Sequence, residues 1–213
     1  MATPDIKPTV YGAAYSVYVR AVRLTLAEKG VAYDLVEADV FDNPEDRAAQ
    51  LVRHPFGKIP AFSHGDFRLY ETSAIERYLD EAFAGPPLQP RDPVRRARMN
   101  QALSVLDNYT YPDLVWGVYT ERVEKPRRGL APDEKRLAQA LAKSRTCLAA
   151  LDAIMEDGPW LAGAALSLAD LHGAPMIDYF RQAPEGLAML RDFPRLSGWW
   201  EMMTERVAKV RAA

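Results

Sequence analysis

Between Ala84 and Pro90 the chain reads Ala-Gly-Pro-Pro-Leu-Gln-Pro, and no other stretch limits the possible folds so much. Three prolines and a glycine in seven residues cannot continue a helix and have little apolar surface to bury. The stretch therefore reads as a linker between a unit at about 1–84 and another at about 92–213. A chain of 213 residues suits one large domain or two small ones.

Before the linker the pattern alternates. Thr9 to Gly12 reads as a strand and Val17 to Lys29 as a helix, with Val19, Val22 and Leu26 at helical spacing and Gly30 as a stop. Tyr33 to Ala38 is the next strand. Pro44 to Arg53 reads as a short helix opened by Asn43, with proline in its first turn. Ala61-Phe62 and Phe67 to Tyr70 flank His64-Gly65-Asp66, a hairpin turn. A helix with Ile75, Tyr78, Leu79 and Ala82 on one face follows. The order β-α-β-α-β-β-α predicts a small mixed sheet covered by helices.

After the linker no strand is evident. Val94 to Val123 and Leu137 to Met155 predict long helices, and Leu196, Trp199, Trp200, Met203 and Val207 form the stripe of a last one. Ser167 and Asp170 have the spacing of a capping box, with Leu166 and Leu171 as its hydrophobic staple. The second half is expected to be all-α.

Bulk properties exclude more than they identify. With 48% hydrophobic and 26% charged residues and a net charge of -2, the chain has no basic excess pointing to nucleic acid or an anionic membrane. No apolar run approaches the roughly 18 residues of a membrane span, and the first residues lack the apolar core of a secretory signal. Cys147 is the single cysteine, which excludes an internal disulfide and suits a reducing compartment. A cytoplasmic protein is expected. His54, His64 and His172 are scattered, with no Cys/His cluster at ligand spacing, so no metal is expected.

Three features carry chemistry: Ser16 at a strand-to-helix junction, Lys58-Ile59-Pro60 before a strand, and Glu71-Thr72 at a helix start. Each also has an ordinary reading, as a helix cap, a loop proline and a complement to a helix dipole respectively. Their order and separation set them apart. From Tyr11-Gly12 through Ser16 to Arg20, then His54 to Phe62, then Leu69 to Ile75, the chain resembles the cytosolic glutathione transferases. Trp160-Leu161-Ala162-Gly163, Ser167 to Asp170, Phe193-Pro194 and Trp199-Trp200 extend the resemblance over nearly the full length.

The resemblance implies an α/β N-terminal thioredoxin-like domain followed by an all-α helical domain carrying the second-substrate pocket. It implies glutathione as co-substrate, a small hydrophobic electrophile as acceptor and a homodimer. By the same resemblance the backbone of Ile59, before a cis Pro60, pairs with the cysteinyl part of glutathione. Glu71 takes the γ-glutamyl ammonium, and Thr72 with the helix amides takes its carboxylate.

Ser16 is the expected catalytic residue, since a hydroxyl donating to sulfur stabilises the thiolate and not the thiol. Tyr11 is the alternative, because tyrosine-type members place their hydroxyl at the end of the first strand. Ser16 followed by Arg20 matches the serine-type arrangement, phi-like more than theta or zeta. Arg20 either supports the site electrostatically or has a surface or intramolecular ion-pair role. Cys147, deep in the helical half, does not suit a cysteine-type mechanism.

Phi-type members carry a His-Lys pair for the glycyl carboxylate where this chain has Glu45 and Asp46; Lys58, or less favourably Arg47, is the replacement. Asn108 to Pro112 and Trp116 to Tyr119 either line the second-substrate pocket or pack as core. Arg91, Arg95, Arg96 and Arg98 are either a solvated face or a dimer contact with acids such as Glu76 or Asp80. Two alternatives stay open: another glutathione-dependent reaction (ether cleavage, dehalogenation, isomerisation, peroxide reduction), or a non-catalytic binding module.

Overall fold

The fold is given by a computed structural model that describes residues 6–155 and 158–212. Residues 1–5, on which the expected lack of a leader partly rests, lie outside the described residues. Two compact units emerge: described residues up to Gln89 together with the chain end from Ala208, and Pro90–Val207.

The first unit follows the alternation read from sequence. Its elements are β1 (Thr9–Tyr11), α1 (Val17–Glu28), β2 (Asp34–Val36), α2 (Pro44–Leu51), β3 (Ala61–His64), β4 (Phe67–Tyr70) and α3 (Thr72–Ala82). The sheet order is β2-β1-β3-β4; β1 runs parallel to β2 and antiparallel to β3, which is antiparallel to β4. Gly30 and Gly65 supply the left-handed turns that end α1 and reverse the β3–β4 hairpin, with φ of 66° and 59°. Asn43 caps α2 as expected, its side chain accepting from the amides of Glu45 and Asp46. The core gathers one face of the sheet, through Val10 and Phe62, with Val19, Val22 and Leu26 of α1 and Ile75 and Leu79 of α3.

A buried ion pair holds the entrance to the linker. Lys29 Nζ lies 3.1 Å from Asp80 Oδ1, with both side chains almost fully buried, and it also donates to the carbonyls of Asp80 and Pro86. Asp80 accepts in turn from the Leu88 amide and the Gln89 side chain. The Glu76 side chain is fully buried as well. These two acids are thus committed inside the chain, which overturns their expected role as dimer partners for Arg91, Arg95, Arg96 and Arg98.

The second unit is helical: α4 (Pro93–Val105), a π-helical stretch (Leu106–Glu124), α5 (Lys125–Arg127), α6 (Glu134–Ile154), α7 (Leu168–Phe180), α8 (Pro184–Leu190) and α9 (Pro194–Ala212). The π-helical stretch is a departure from the plain helix read from sequence. Pro112 lies inside it and can neither donate an amide hydrogen nor tolerate the carbonyl one α-turn back, while the side chain of Asn108 donates to the carbonyl of Ser104.

Asp170 organises this unit. Fully buried, it accepts the Ser167 amide and hydroxyl on Oδ2 and the Leu161 amide and Trp199 indole on Oδ1, all at 2.8 Å. Burial pushes its carboxyl pKa up, and the four hydrogen bonds oppose that shift. The expected capping box is therefore present, and it also ties α7 to α9. Asp170→Asn would turn an NH2 group toward two donors. Each buried group left unpaired costs about 1–3 kcal/mol, so a loss of about 2–6 kcal/mol in urea unfolding, followed by tryptophan fluorescence, is expected.

Candidate active site

Strand register places the site. Tyr11 pairs with Ala61, and Ala61 with Tyr70. The residues just outside those rungs, Gly12, Pro60 and Glu71, therefore stand in a row at one end of the sheet. Gly12 has φ of 153°, and a Cβ there would come within 2.5 Å of Val19 and 3.0 Å of Ile59. Only glycine lets the end of β1 pass between helix α1 and Ile59. The Ile59–Pro60 bond is cis, as expected.

The loop from Gly12 to Ser16 is braced from β2 and the residues after it. Gly12 donates its amide to the Val36 carbonyl at 3.0 Å. The Ala14 amide donates to both Glu37 carboxylate oxygens, each at 3.0 Å, and the Tyr15 hydroxyl donates to Asp39 at 3.0 Å. Ser16 then stands at the N-cap of α1, half-buried, and its hydroxyl makes no capping hydrogen bond. The first amides of a helix have no intrahelical partners and carry the positive end of its dipole. A hydroxyl left uncommitted beside them can donate to an anion.

Tyr11 is placed differently. Its hydroxyl lies 3.3 Å from Ser63 Oγ, and the Arg53 guanidinium sits 4.4 Å above its ring. Arg20 is buried, which removes a surface role. Cys147 is buried, and burial pushes its thiol pKa up, the opposite of what a reactive thiolate requires.

At the other end of the row, Glu71 is the N-cap of α3 with no side-chain capping bond. It has φ of 71°, alone among described non-glycine residues in being positive. Its carboxylate is 62% exposed and lies 3.9 Å from Nε2 of the buried His54. Thr72 behind it is buried. Lys58 is exposed, and its carbonyl accepts from the Gln50 side chain at 2.9 Å. Asp46, one of the two acids noted above, accepts the Asp39 amide.

Sequence reasoning missed His54, Gln50, Glu37 and Asp39. His54 lay in a quoted motif but was weighed only as a metal ligand. Its Nδ1 accepts the Phe56 amide at 3.3 Å, so the neutral ring carries its proton on Nε2, toward Glu71. Burial lowers its pKa, Glu71 opposes and Lys58 reinforces. Among the described residues no group of side chains could hold a metal ion.

In the helical unit the expected aromatic group divides. Tyr119 is core, its ring 4.3 Å from that of Tyr179 and its pKa pushed up to about 12, chiefly by burial. Tyr109 and Trp116 stay exposed.

A four-stranded sheet of order β2-β1-β3-β4 with a serine at the N-cap of the helix after its first strand, continued by a helical unit, defines a thioredoxin-like class of fold. Comparison with known proteins narrows it. The glutathione S-transferase N-terminal domain matches residues 10–87 and the C-terminal domain residues 113–206. Glutathione S-transferase F10 of Arabidopsis thaliana is 32% identical over 94% of this chain and 93% of its own. Glutathione S-transferase III in apo form superposes with a TM-score of 0.86 at 27% identity, covering 97% of this chain and 96% of that one. Glutathione S-transferase I from maize, in complex with an atrazine glutathione conjugate, gives 0.82 at 28%, covering 97% of both chains. The chain belongs to the glutathione S-transferase family.

Two outcomes follow from this geometry. A non-glycine residue in the left-handed region costs about 1–2 kcal/mol, so Glu71→Gly should not lower the free energy of unfolding in urea and should raise it by up to about 1 kcal/mol; Glu71→Ala, keeping its Cβ, should show no such gain. His54 has its pKa lowered in the folded state, so the unfolded chain binds the proton more readily. Stability contributed by neutral His54 is present above about pH 6.5 and is lost as pH falls below it. His54→Gln should flatten that part of the profile.

Proposed function

We propose that the protein is a serine-type, phi-like glutathione transferase, in which Ser16 keeps the sulfur of bound glutathione ionised for attack on an apolar or aromatic electrophile. One observation carries the assignment: the Ser16 hydroxyl makes no capping bond at the mouth of α1, whereas the Tyr11 hydroxyl is taken up by Ser63. The maize relative holding an atrazine glutathione conjugate supports an aromatic acceptor, and so do the exposed rings of Tyr109 and Trp116.

A free thiol has a pKa of about 8.5, so only a few per cent is thiolate at neutral pH. A hydrogen bond to a charged group contributes about 1.5–3 kcal/mol, and each pKa unit corresponds to about 1.4 kcal/mol. The Ser16 hydroxyl, with the positive end of α1, thus lowers the thiol pKa by about one to two units. Ser16 needs no nucleophilic step of its own; the sulfur lone pair attacks the acceptor.

The rest of the tripeptide is read by the row at the sheet end. The Ile59 backbone pairs with the cysteinyl unit. The γ-glutamyl carboxylate meets Thr72 and the free amides of α3, and its ammonium meets Glu71. The glycyl carboxylate falls to Lys58, which makes no ion pair among the described residues. In this reading residues 1–84 bind glutathione and residues 92–213 supply the acceptor pocket. The protein acts as a cytoplasmic homodimer; no described helix is long and apolar enough to cross a membrane.

Ser16→Ala is expected to lower kcat/KM for a chlorinated nitrobenzene about 10- to 100-fold with little change in retention on immobilised glutathione. The rate rises with pH through the bound thiol pKa, so its inflection should move up toward about 8.5. Tyr11→Phe should keep near-normal activity. Reversed behaviour of the two variants would transfer the role to Tyr11.

A further inference from the structure

The face of the sheet turned away from the core carries a cavity rich in cationic side chains. Side chains alternate along a strand, and directly paired residues share a face. Val10 and Phe62 face the core, so Tyr11 on β1, Ser63 on β3 and Arg68, paired with Ser63 on β4, share the opposite one. They line a cavity of about 370 Å³ together with Arg53, Ala49, Val52 and, between Ser63 and Ala61 on β3, Phe62. None of the residues assigned to glutathione lines it.

The chemistry of the lining is one-sided. Two guanidinium groups and two hydroxyls meet there, and no carboxylate does. Arg53 is held in place by the Tyr11 ring at 4.4 Å and by donating one N–H to the Ala49 carbonyl at 3.3 Å. A guanidinium has five N–H donors, so most of its donors remain unused. Arg68 makes no hydrogen bond or ion pair among the described residues. Tyr11 and Ser63 share one hydrogen bond, which leaves one hydroxyl proton over. Two positive charges with a surplus of forked N–H donors match a dianion with several terminal oxygens. Ala49 and Val52 add apolar wall, and the volume lies in the lower part of the roughly 300–1,000 Å³ usual for small-ligand sites.

We propose that this cavity binds the phosphate dianion of a small phosphomonoester, gripped by Arg53 and Arg68 with Tyr11 and Ser63 as hydroxyl partners. The site uses none of the residues assigned to glutathione, and it rests on that assignment in leaving Tyr11 away from the thiol.

Calorimetric titration of the full chain at constant ionic strength tests this, with phenyl phosphate and inorganic phosphate as probes. Saturable binding of phenyl phosphate is expected, unchanged by saturating glutathione. Arg68→Gln, an exposed change on an edge strand, should weaken it at least about tenfold, the loss of one charge-assisted contact, while leaving the circular dichroism spectrum and conjugation rate intact. Tighter binding of phenyl phosphate than of inorganic phosphate assigns the ester, and equal binding assigns the free ion to the same two arginines. Absence of saturable binding by either probe, displacement by glutathione, or indifference to Arg68→Gln would overturn the proposal.

Discussion

The site depends on a close approach. Helix α1 can begin where it does only because the end of β1 passes between Val19 and Ile59 at a residue without a side chain. Gly12 makes that passage, and a Cβ there would sit 2.5 Å from a Val19 methyl. The backbone that leaves this narrow point is then fixed by acceptors from the neighbouring strand and the residues after it: the Val36 carbonyl, the Glu37 carboxylate and the Asp39 carboxylate. Ser16 reaches the first turn of the helix as the product of these constraints. Its hydroxyl makes no capping hydrogen bond there.

The same economy governs the rest of the row. Gly12, Pro60 and Glu71 belong to three different strand ends, yet two cross-strand pairings put them side by side. Glu71 is held in a backbone conformation unfavourable for its residue type, with its carboxylate exposed and facing a neutral, buried His54. A non-glycine residue held in the left-handed region persists only where the surrounding structure over-determines it. In the helical unit the balance is reversed. Asp170 is as polar as Glu71, but four donors surround it, and its work is to join α7 to α9.

Most of the architecture was legible in the sequence because it rests on local signals. The Gly30 and Gly65 turns, the Asn43 cap and the Ser167–Asp170 box each act within a few residues. The seven elements of the first unit appear in the expected order, with ends shifted by a residue or two. The π-helical stretch was not legible, because its apolar spacing is close to that of an α-helix and only Pro112 hinted at the change. Residues acting across long sequence separations were also hidden. Glu37 reaches Ala14, Gln50 reaches the Lys58 carbonyl, and Lys29 reaches Asp80 through folding alone. The dimer acids named from sequence failed for that reason: nothing local marks Glu76 and Asp80 as interior.

The lone cysteine has a practical side. Cys147 is enclosed within the helical unit, and burial holds its thiol in the protonated, unreactive form. Maleimide or nitroxide reagents are therefore expected to react slowly with the native protein. A pair of cysteines introduced at exposed positions, one in each unit, would then be the only targets for a dye or spin label, so a distance between the units can be measured without first engineering the background.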